Sequence, residues 1–300
     1  YLTSVYGNNK LGSIASTLKE NNYTTAFFHG GYNGTMGFDN FTRKIGYQYY
    51  YGKDEYNNDE DYDGNWGIFD EPFLQYCIKQ MDTLTKPFHA AFFTLSSHHP
   101  YTMPKEHKNK FSKGSLIVHE TVSYTDYALK RFFNEASKCD WFENTLFIIT
   151  SDHSGLTESK DFKTQLGLFK IPMIIYHPKM KMNILSSQYV QQIDVYPMVI
   201  DLLNIENQKI FSFGRSPFAQ KEKYYIYYTN GEYLLMIGNY LSKYKQDGTI
   251  ELFNVVEDQG LKNNIANQHK EITQKHIEFT QAFIQQYNNT IIENKTMVSK

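Results

Sequence analysis

Hydrophobic and polar positions recur with two different periods over residues 1–222, and each period predicts one kind of element. Short apolar runs bounded by turn residues predict strands, and longer stretches that repeat every three to four residues predict helices. The predicted strands are residues 24–29, 88–95, 146–150 and 173–176, and the predicted helices are residues 11–22, 71–83, 117–138 and 194–203. Strands that alternate with helices predict an α/β fold with a mainly parallel sheet flanked by helices.

The predicted strand at residues 146–150 ends just before an Asp and a His. Its apolar residues are nearly continuous, a pattern typical of a central strand whose two faces are both covered. In open α/β sheets, ligands and catalytic groups gather at the carboxyl ends of such strands. Asp152 offers an oxygen and His153 a nitrogen, a pair better suited to Zn²⁺ or Mn²⁺ than to Ca²⁺. The residues alone leave two interpretations open, a metal-binding pair or turn residues beside a structural histidine.

The pattern changes after residue 222. Short strands follow one another, separated by Asn230-Gly231 and Asp247-Gly248, dipeptides that accept positive φ and favour hairpins. Residues 271–287 have a helical pattern. We therefore expect a core at residues 1–222 and a small antiparallel β subdomain with a terminal helix at residues 223–300.

Two predicted helices carry more detailed expectations. In the helix at residues 117–138, spacing predicts that one apolar face packs into the core. That predicted face consists of Val118, Val122, Leu129, Phe132 and Ala136. Asp194 stands where a side chain would cap the helix at residues 194–203.

Composition bounds the function classes. With 300 residues, of which 41% are hydrophobic, the chain can bury a large core. Its net charge of −2 gives no electrostatic reason to bind nucleic acid. It has no signal peptide and no run near the ~18 apolar residues of a membrane span, so we expect this chain itself to be soluble. Because it opens at Tyr1, without Met, we also expect it to be a piece of a longer protein. Cys77 and Cys139 fit no metal spacing, and both a disulfide and two free thiols stay open.

Several motifs together resemble one enzyme superfamily. The segments TSDHSG, QQIDVYPMVIDLLNI and IELFNVVED, in this order, resemble the C-terminal half of the sulfatase and alkaline phosphatase superfamily. Upstream, AFFHGG, NWGIFDEPF, SSHHPY and YTDYALKRFF resemble the branch that includes lipoteichoic acid synthases and related membrane-anchored sulfatase-like proteins. The resemblance covers residues 10–264 and implies an alkaline phosphatase-like fold.

The resemblance also implies an activity and a place. It implies a metal-dependent phosphoester or sulfoester hydrolase or transferase, with Asp152 and His153 as metal ligands. The expected ion is Mn²⁺ or Zn²⁺, with Mg²⁺ and Ca²⁺ as alternatives. The expected substrate is an anionic ester on a glycolipid or polysaccharide. The longer protein would be anchored upstream of this chain on the extracytoplasmic face of a bacterial membrane, in the cell envelope.

Further site residues are carried over by the resemblance. His98 matches the substrate-side histidine, which would bind the oxyanion or protonate the leaving oxygen; its neighbour His99 is expected to point away. His29 matches the histidine of the HG motif, and its alternative is a neutral histidine at the Gly30-Gly31 turn. Thr157 falls near a substrate-contacting serine, and its alternative is a plain surface threonine.

The sequence departs from its relatives at two kinds of position. Lipoteichoic acid synthases carry a Trp and an Arg where this chain has Met36 and Phe38. An Arg grips phosphate at two points, so its absence argues against glycerol-phosphate transfer and predicts a more apolar pocket wall. The family's nucleophile and a further metal carboxylate lie in segments that this chain does not contain, so we expect it to be inactive by itself. The alternative is a non-catalytic domain that binds carbohydrate or an anionic polymer, which the 25 Tyr and 22 Phe permit.

Overall fold

Three parallel strands form the sheet of the core. The computed structural model describes residues 2–180, 189–205, 210–219 and 222–297. The strand β1 (Thr24–His29) lies in the middle, between β2 (Tyr49–Tyr51) and β3 (Phe88–Phe93). The register places His29 beside Phe93, so the carboxyl ends of β1 and β3 lie at the same edge. The predicted parallel pairing of these two strands is confirmed, whereas β2 was not predicted.

Seven α-helices occur in the described parts of the chain. Their bounds are α1 (Ile14–Glu20), α2 (Phe38–Lys44), α3 (Lys53–Tyr56), α4 (Asp70–Thr83), α5 (Val118–Ala136), α6 (Val195–Leu202) and α7 (Lys270–Ile292). The helices α4 and α5 pack on each other and cover one face of the parallel sheet, where Phe28, Phe73 and Phe132 belong to the same buried cluster. None of the described helices is long and apolar enough to cross a membrane.

The predicted apolar face of α5 is correct only in its second half. The buried residues are Thr121, Tyr124, Ala128, Phe132 and Ala136, while Val122 is exposed. The first half packs under the start of α4 rather than on the sheet: the Tyr124 hydroxyl accepts a hydrogen bond from the Glu71 backbone N–H at 3.2 Å. In the first half of α5, the buried Tyr124 with its hydrogen-bonded hydroxyl therefore takes the place of the valines that were expected to be buried.

The position of β4 (Phe147–Thr150) corrects an expectation. Among the described residues it pairs only with β5 (Met173–Tyr176), and this pairing is antiparallel. Its residues are half-buried or exposed, so the prediction of a central strand covered on both faces is wrong for this part of the chain. The strands β3 and β4 both contact α5, because the Phe132 ring packs 5.8 Å from Phe92 and 6.5 Å from Phe147 between ring centroids.

Four antiparallel strands follow the core in chain order. They are β6 (Tyr224–Thr229), β7 (Glu232–Ile237), β8 (Tyr240–Lys245) and β9 (Ile250–Asn254). The turn at Asn230-Gly231 has φ values of 50° and 82°, as its sequence predicted. The helix α7 covers one face, where Phe279 and Phe283 pack against the cluster of Ile226, Leu235 and Ile237.

Two smaller expectations can now be answered. Cys77 is buried, and both it and Cys139 are free thiols. Asp194 does not cap α6: its carboxylate accepts hydrogen bonds from the backbone N–H groups of Gln191 and Arg215, both at 2.8 Å. It has helical backbone angles and closes a short turn before the helix, so its side chain points back toward Gln191.

Candidate active site

Asp152 and His153 lie in the turn that follows β4. The His153 backbone N–H donates to Asp152 Oδ1 at 2.8 Å. His153 Nδ1 lies 2.8 Å from the Ser154 carbonyl, a contact that fixes the proton on Nδ1 and leaves the Nε2 lone pair free. This Nε2 lies 3.4 Å from Asp152 Oδ2, and both side chains are more than half exposed, at 74% and 54%. Two metal-ligand atoms of different kinds are thus presented side by side to solvent.

The pair fits one divalent ion but only in part. Carboxylate oxygens and imidazole nitrogens bind such an ion at ~2.0–2.2 Å, so one ion can contact two ligand atoms that are this close together. A structural or catalytic site of this kind takes at least three protein ligands. The described ranges contain no group of three or more His, Cys, Asp or Glu side chains that could hold a metal. Asp152 and His153 therefore supply two of the ligands that a metal site of this kind needs.

His98 is oriented by a tryptophan. The Trp66 ring packs 4.1 Å from the His98 ring, and Trp66 Nε1 donates to the His99 carbonyl at 2.6 Å. His98 Nδ1 lies 2.8 Å from the same carbonyl. The bond places the proton on Nδ1 and leaves His98 Nε2 free to accept or return a proton.

The turn that holds Trp66 is built on one aspartate. Asp63 Oδ1 accepts hydrogen bonds from the backbone N–H groups of Asn65, Trp66 and Gly67. A Cβ at Gly67 would lie 2.6 Å from the Gly30 carbonyl oxygen, so glycine allows this turn to approach the end of β1. Neither Asp63 nor Trp66 was predicted as a site residue, and their only signal was their place in the stretch DGNWG.

His29 ends β1 and is enclosed, with 2% of its surface exposed. The Phe38 ring stacks on its imidazole at 4.5 Å, and the Tyr50 hydroxyl lies 3.3 Å from Nδ1. Burial lowers the pKa of His29 from 6.5 to about 4, so the ring is neutral near pH 7. In this geometry His29 is a neutral histidine enclosed beside the Gly30-Gly31 turn, and its contact with substrate stays a prediction.

The two positions that differ from the Trp and Arg of the related branch have different surroundings. Met36 is 79% exposed and has a positive φ of 51°. Phe38 packs against Phe27 and Phe93 in addition to His29. The position that carries an Arg in the related branch thus holds an apolar ring packed among other rings, and the apolar pocket wall stays a prediction.

Thr157 makes a local contact. Its hydroxyl accepts a hydrogen bond from the Ser159 backbone N–H at 3.1 Å, as in a surface turn. Within the described residues, no hydrogen bond, ion pair or ring contact joins Thr157, His98 or His29 to the Asp152-His153 pair. The structure places the predicted site residues in turns and strand ends, each supported by its own neighbours.

Comparison with known proteins identifies the family of this chain. A family model described as Sulfatase matches residues 2–205. Lipoteichoic acid synthase 1 of Bacillus subtilis (strain 168) is 27% identical over an alignment of 246 residues that covers 76% of this chain and 38% of that protein. The lipoteichoic acid synthase of Staphylococcus aureus (strain USA300) is 23% identical over an alignment of 249 residues that covers 77% of this chain and 38% of that protein. The chain therefore spans well under half the length of these relatives.

Solved structures share the fold. The crystal structure of the lipoteichoic acid synthase LtaP from Listeria monocytogenes has a TM-score of 0.72 at 18% identity, over 95% of this chain and 75% of that one. A protein of the alkaline phosphatase superfamily from Vibrio parahaemolyticus has a TM-score of 0.69 at 21% identity, over 91% of this chain and 71% of that one. The predicted α/β fold of the alkaline phosphatase type is confirmed.

Proposed function

The chain belongs to the sulfatase family, and from this premise we propose that it carries one part of the active site of a metal-dependent phosphoester or sulfoester hydrolase or transferase. Its superfamily generally uses divalent metals. The observation that carries the proposal is the pair Asp152 Oδ2 and His153 Nε2, 3.4 Å apart at the end of β4. The favoured ion is Mn²⁺ or Zn²⁺, because the two ligands are an oxygen and a nitrogen.

The residues of this chain would divide the chemistry between them. A divalent ion held by Asp152 and His153 would neutralise the charge that develops on the ester oxygens. His153 keeps its proton on Nδ1 through the Ser154 carbonyl and so offers Nε2 as a ligand. His98, with its Nε2 free, would donate a proton to the leaving oxygen or bind the oxyanion. Trp66 limits the orientations that the His98 ring can take.

We propose that a further strand completes this core. The elements β3, α5 and β4 follow one another as strand, helix and strand. In α/β proteins such a helical crossover normally connects two parallel strands of the same sheet. Yet β3 and β4 do not pair, and each keeps one edge without a strand neighbour among the described residues. Both strands rest on α5 through Phe132. A strand from the longer protein, paired between them, would bring the nucleophile and the remaining metal ligands.

The proposed substrate is an anionic ester on a glycolipid or polysaccharide at the extracytoplasmic face of a bacterial membrane. The relatives are lipoteichoic acid synthases by name, but the stack of Phe38 on His29 leaves no two-point grip for phosphate at that position. The ester substrate is therefore proposed to be a phosphoester or sulfoester other than phosphatidylglycerol. Efficient transfer of glycerol phosphate by the full-length protein, measured with labelled lipid, would contradict this part.

Metal binding and turnover test the core of the proposal together. In the full-length protein, Asp152→Ala and His153→Ala should each abolish Mn²⁺-dependent cleavage of aryl phosphate or aryl sulfate esters and lower bound metal measured by mass spectrometry. The matched control is Asp161→Ala, an exposed aspartate in the following loop that should leave both quantities unchanged. Full metal content and activity in either ligand variant would refute the assignment. Polysaccharide binding without turnover in wild type and variants alike would support the alternative of a binding domain.

A further inference from the structure

A short turn before α6 connects the backbone of the Asp152 turn to the C-terminal sheet. Gln192 Nε2 donates to the carbonyls of both Ser151 and Asp152, each at 2.9 Å. One side-chain amide thus holds two consecutive carbonyl groups. Gln192 is 40 residues away in sequence from Asp152 and is not itself one of the proposed ligands.

The turn that carries Gln192 is fixed from its other side. The neighbouring Gln191 pairs with the edge of β6: its Nε2 donates to the Tyr224 carbonyl at 3.3 Å, and its Oε1 accepts from the Ile226 N–H at 3.0 Å. Buried Asp194 closes the turn by accepting from the Gln191 N–H at 2.8 Å. Gln192 therefore lies in a turn whose hydrogen bonds to β6 and Asp194 do not involve the Asp152 turn.

The Asp152 turn itself has little other support. Its own hydrogen bonds, from the His153 N–H to Asp152 Oδ1 and between His153 Nδ1 and the Ser154 carbonyl, join neighbouring residues only. Ser154, two residues after Asp152, donates a hydrogen bond from its hydroxyl to the Leu168 carbonyl. The Thr150 hydroxyl at the end of β4 also lies 3.3 Å from the Ser151 carbonyl, and Gln192 is the side chain from a distant segment that holds the Ser151 and Asp152 carbonyls together.

We propose that Gln192 is a positioning residue for the metal-ligand pair. By holding the Ser151 and Asp152 carbonyls on one side, its amide turns the Asp152 and His153 side chains to the other side, where Oδ2 and Nε2 lie together. Ligands that are oriented before the ion arrives lose less freedom on binding, so affinity rises. This inference rests on the proposed metal-binding function.

The test is a titration of the full-length protein with Mn²⁺ alone, followed by the electron paramagnetic resonance signal of the free ion. Gln192→Met keeps the length of the side chain and removes the donor. It should raise the Kd for Mn²⁺ by about 10- to 100-fold, the usual effect of losing an outer-shell partner. The matched control, Gln281→Met, removes an exposed amide donor of α7 that bonds the Tyr244 hydroxyl at 3.0 Å and leaves the Gln191 and Gln192 contacts in place, and it should change the Kd by less than about twofold.

A second measurement separates positioning from general loss of structure. In the metal-free protein, backbone amide exchange at His153 should accelerate in Gln192→Met while exchange within β6 stays unchanged. If Asp152→Ala lowers Mn²⁺ affinity but Gln192→Met leaves both the affinity and the His153 exchange as in wild type, the positioning role is overturned and the proposed function stands. If Asp152→Ala has no effect on Mn²⁺ binding, the proposed function fails and the positioning role fails with it.

Discussion

Three histidines near the strand ends differ in which ring nitrogen is available. His98 and His153 each direct Nδ1 to a neighbouring backbone carbonyl, so each leaves Nε2 facing outward. His29 is buried under Phe38, and burial lowers its pKa to about 4. The two exposed histidines can therefore bind an ion or accept a proton, whereas His29 stays neutral among the rings of Phe38 and Phe93.

The cover over His29 leads to a prediction. Phe38→Ala removes the ring that stacks on the imidazole at 4.5 Å and admits water, so the pKa of His29 should rise from about 4 toward 6.5. The measurement is a pH titration of ring resonances in protein labelled at histidine. Met36→Ala, two residues earlier and exposed, is the control and should leave the His29 titration unchanged. An unshifted His29 in Phe38→Ala would show that other groups keep water out.

Sequence reasoning identified some of the proposed site residues and missed others for a physical reason. Asp152, His153 and His98 directly follow apolar strands, and strand ends are where ligands gather. Trp66 and Gln192 act through backbone groups 33 and 40 residues away. No local pattern reports a contact between a side chain and a distant carbonyl, so only the folded chain shows these two.

At the scale of elements, the period of apolar residues predicted whether a segment is a strand or a helix better than it predicted which strands pair with each other. The strands at residues 24–29 and 173–176 begin and end as predicted. The apolar run of β4 correctly predicted a strand but not its pairing. A continuous apolar run indicates that both faces of a strand are buried, but it does not indicate which elements bury them. The short β2 and the helix α2 were missed, since Tyr-rich and mixed segments of three to seven residues have no distinct period.

The hairpin turn between β6 and β7 gives a prediction at this scale. Gly231 has a φ of 82°, and a Cβ there would meet nothing within 4 Å, so only the backbone opposes a side chain. Gly231→Ala should lower the free energy of unfolding by roughly 1–2 kcal/mol in urea denaturation. Gly260→Ala is the control: its φ is ordinary and its nearest contact would be a flexible lysine at 3.4 Å, so the change should stay within about 0.5 kcal/mol. Equal effects of the two changes would mean that the turn is not held at positive φ.

For the whole molecule, a buried histidine makes stability depend on pH. His276 of α7 is buried and shares a hydrogen bond of 2.9 Å with Ser242 of β8. Burial lowers the pKa of His276 from 6.5 to about 4. Between these values the unfolded chain binds more protons than the folded chain, so the contribution is complete above pH 6.5 and is lost as the pH falls through about 4. Its size is on the order of 3 kcal/mol.

This pH dependence can be measured by urea denaturation at pH 7, 5.5 and 4.5. The double variant Ser242→Ala, His276→Leu should show a smaller decrease in the free energy of unfolding over this range than wild type, whatever its stability at pH 7. Ser242→Ala alone keeps the buried imidazole and should keep the wild-type slope. A wild-type slope in the double variant would assign the acid sensitivity to other groups.

The last prediction concerns the chain acting alone, and it follows from how the proposed chemistry is distributed. The described residues offer two adjacent ligands and no third, and β3 and β4 present edges where a further strand would pair. In the proposed function the nucleophile lies outside this chain and only two ligands hold the ion, so two cooperating sources of rate would be absent at once and the remaining groups would not compensate for them. The purified 300-residue chain should therefore fold but cleave aryl phosphate and aryl sulfate esters with Mn²⁺ no faster than its Asp152→Ala variant. Turnover that disappears in that variant would place a nucleophile or an activated water within these 300 residues, and the proposed completion by another strand would be wrong.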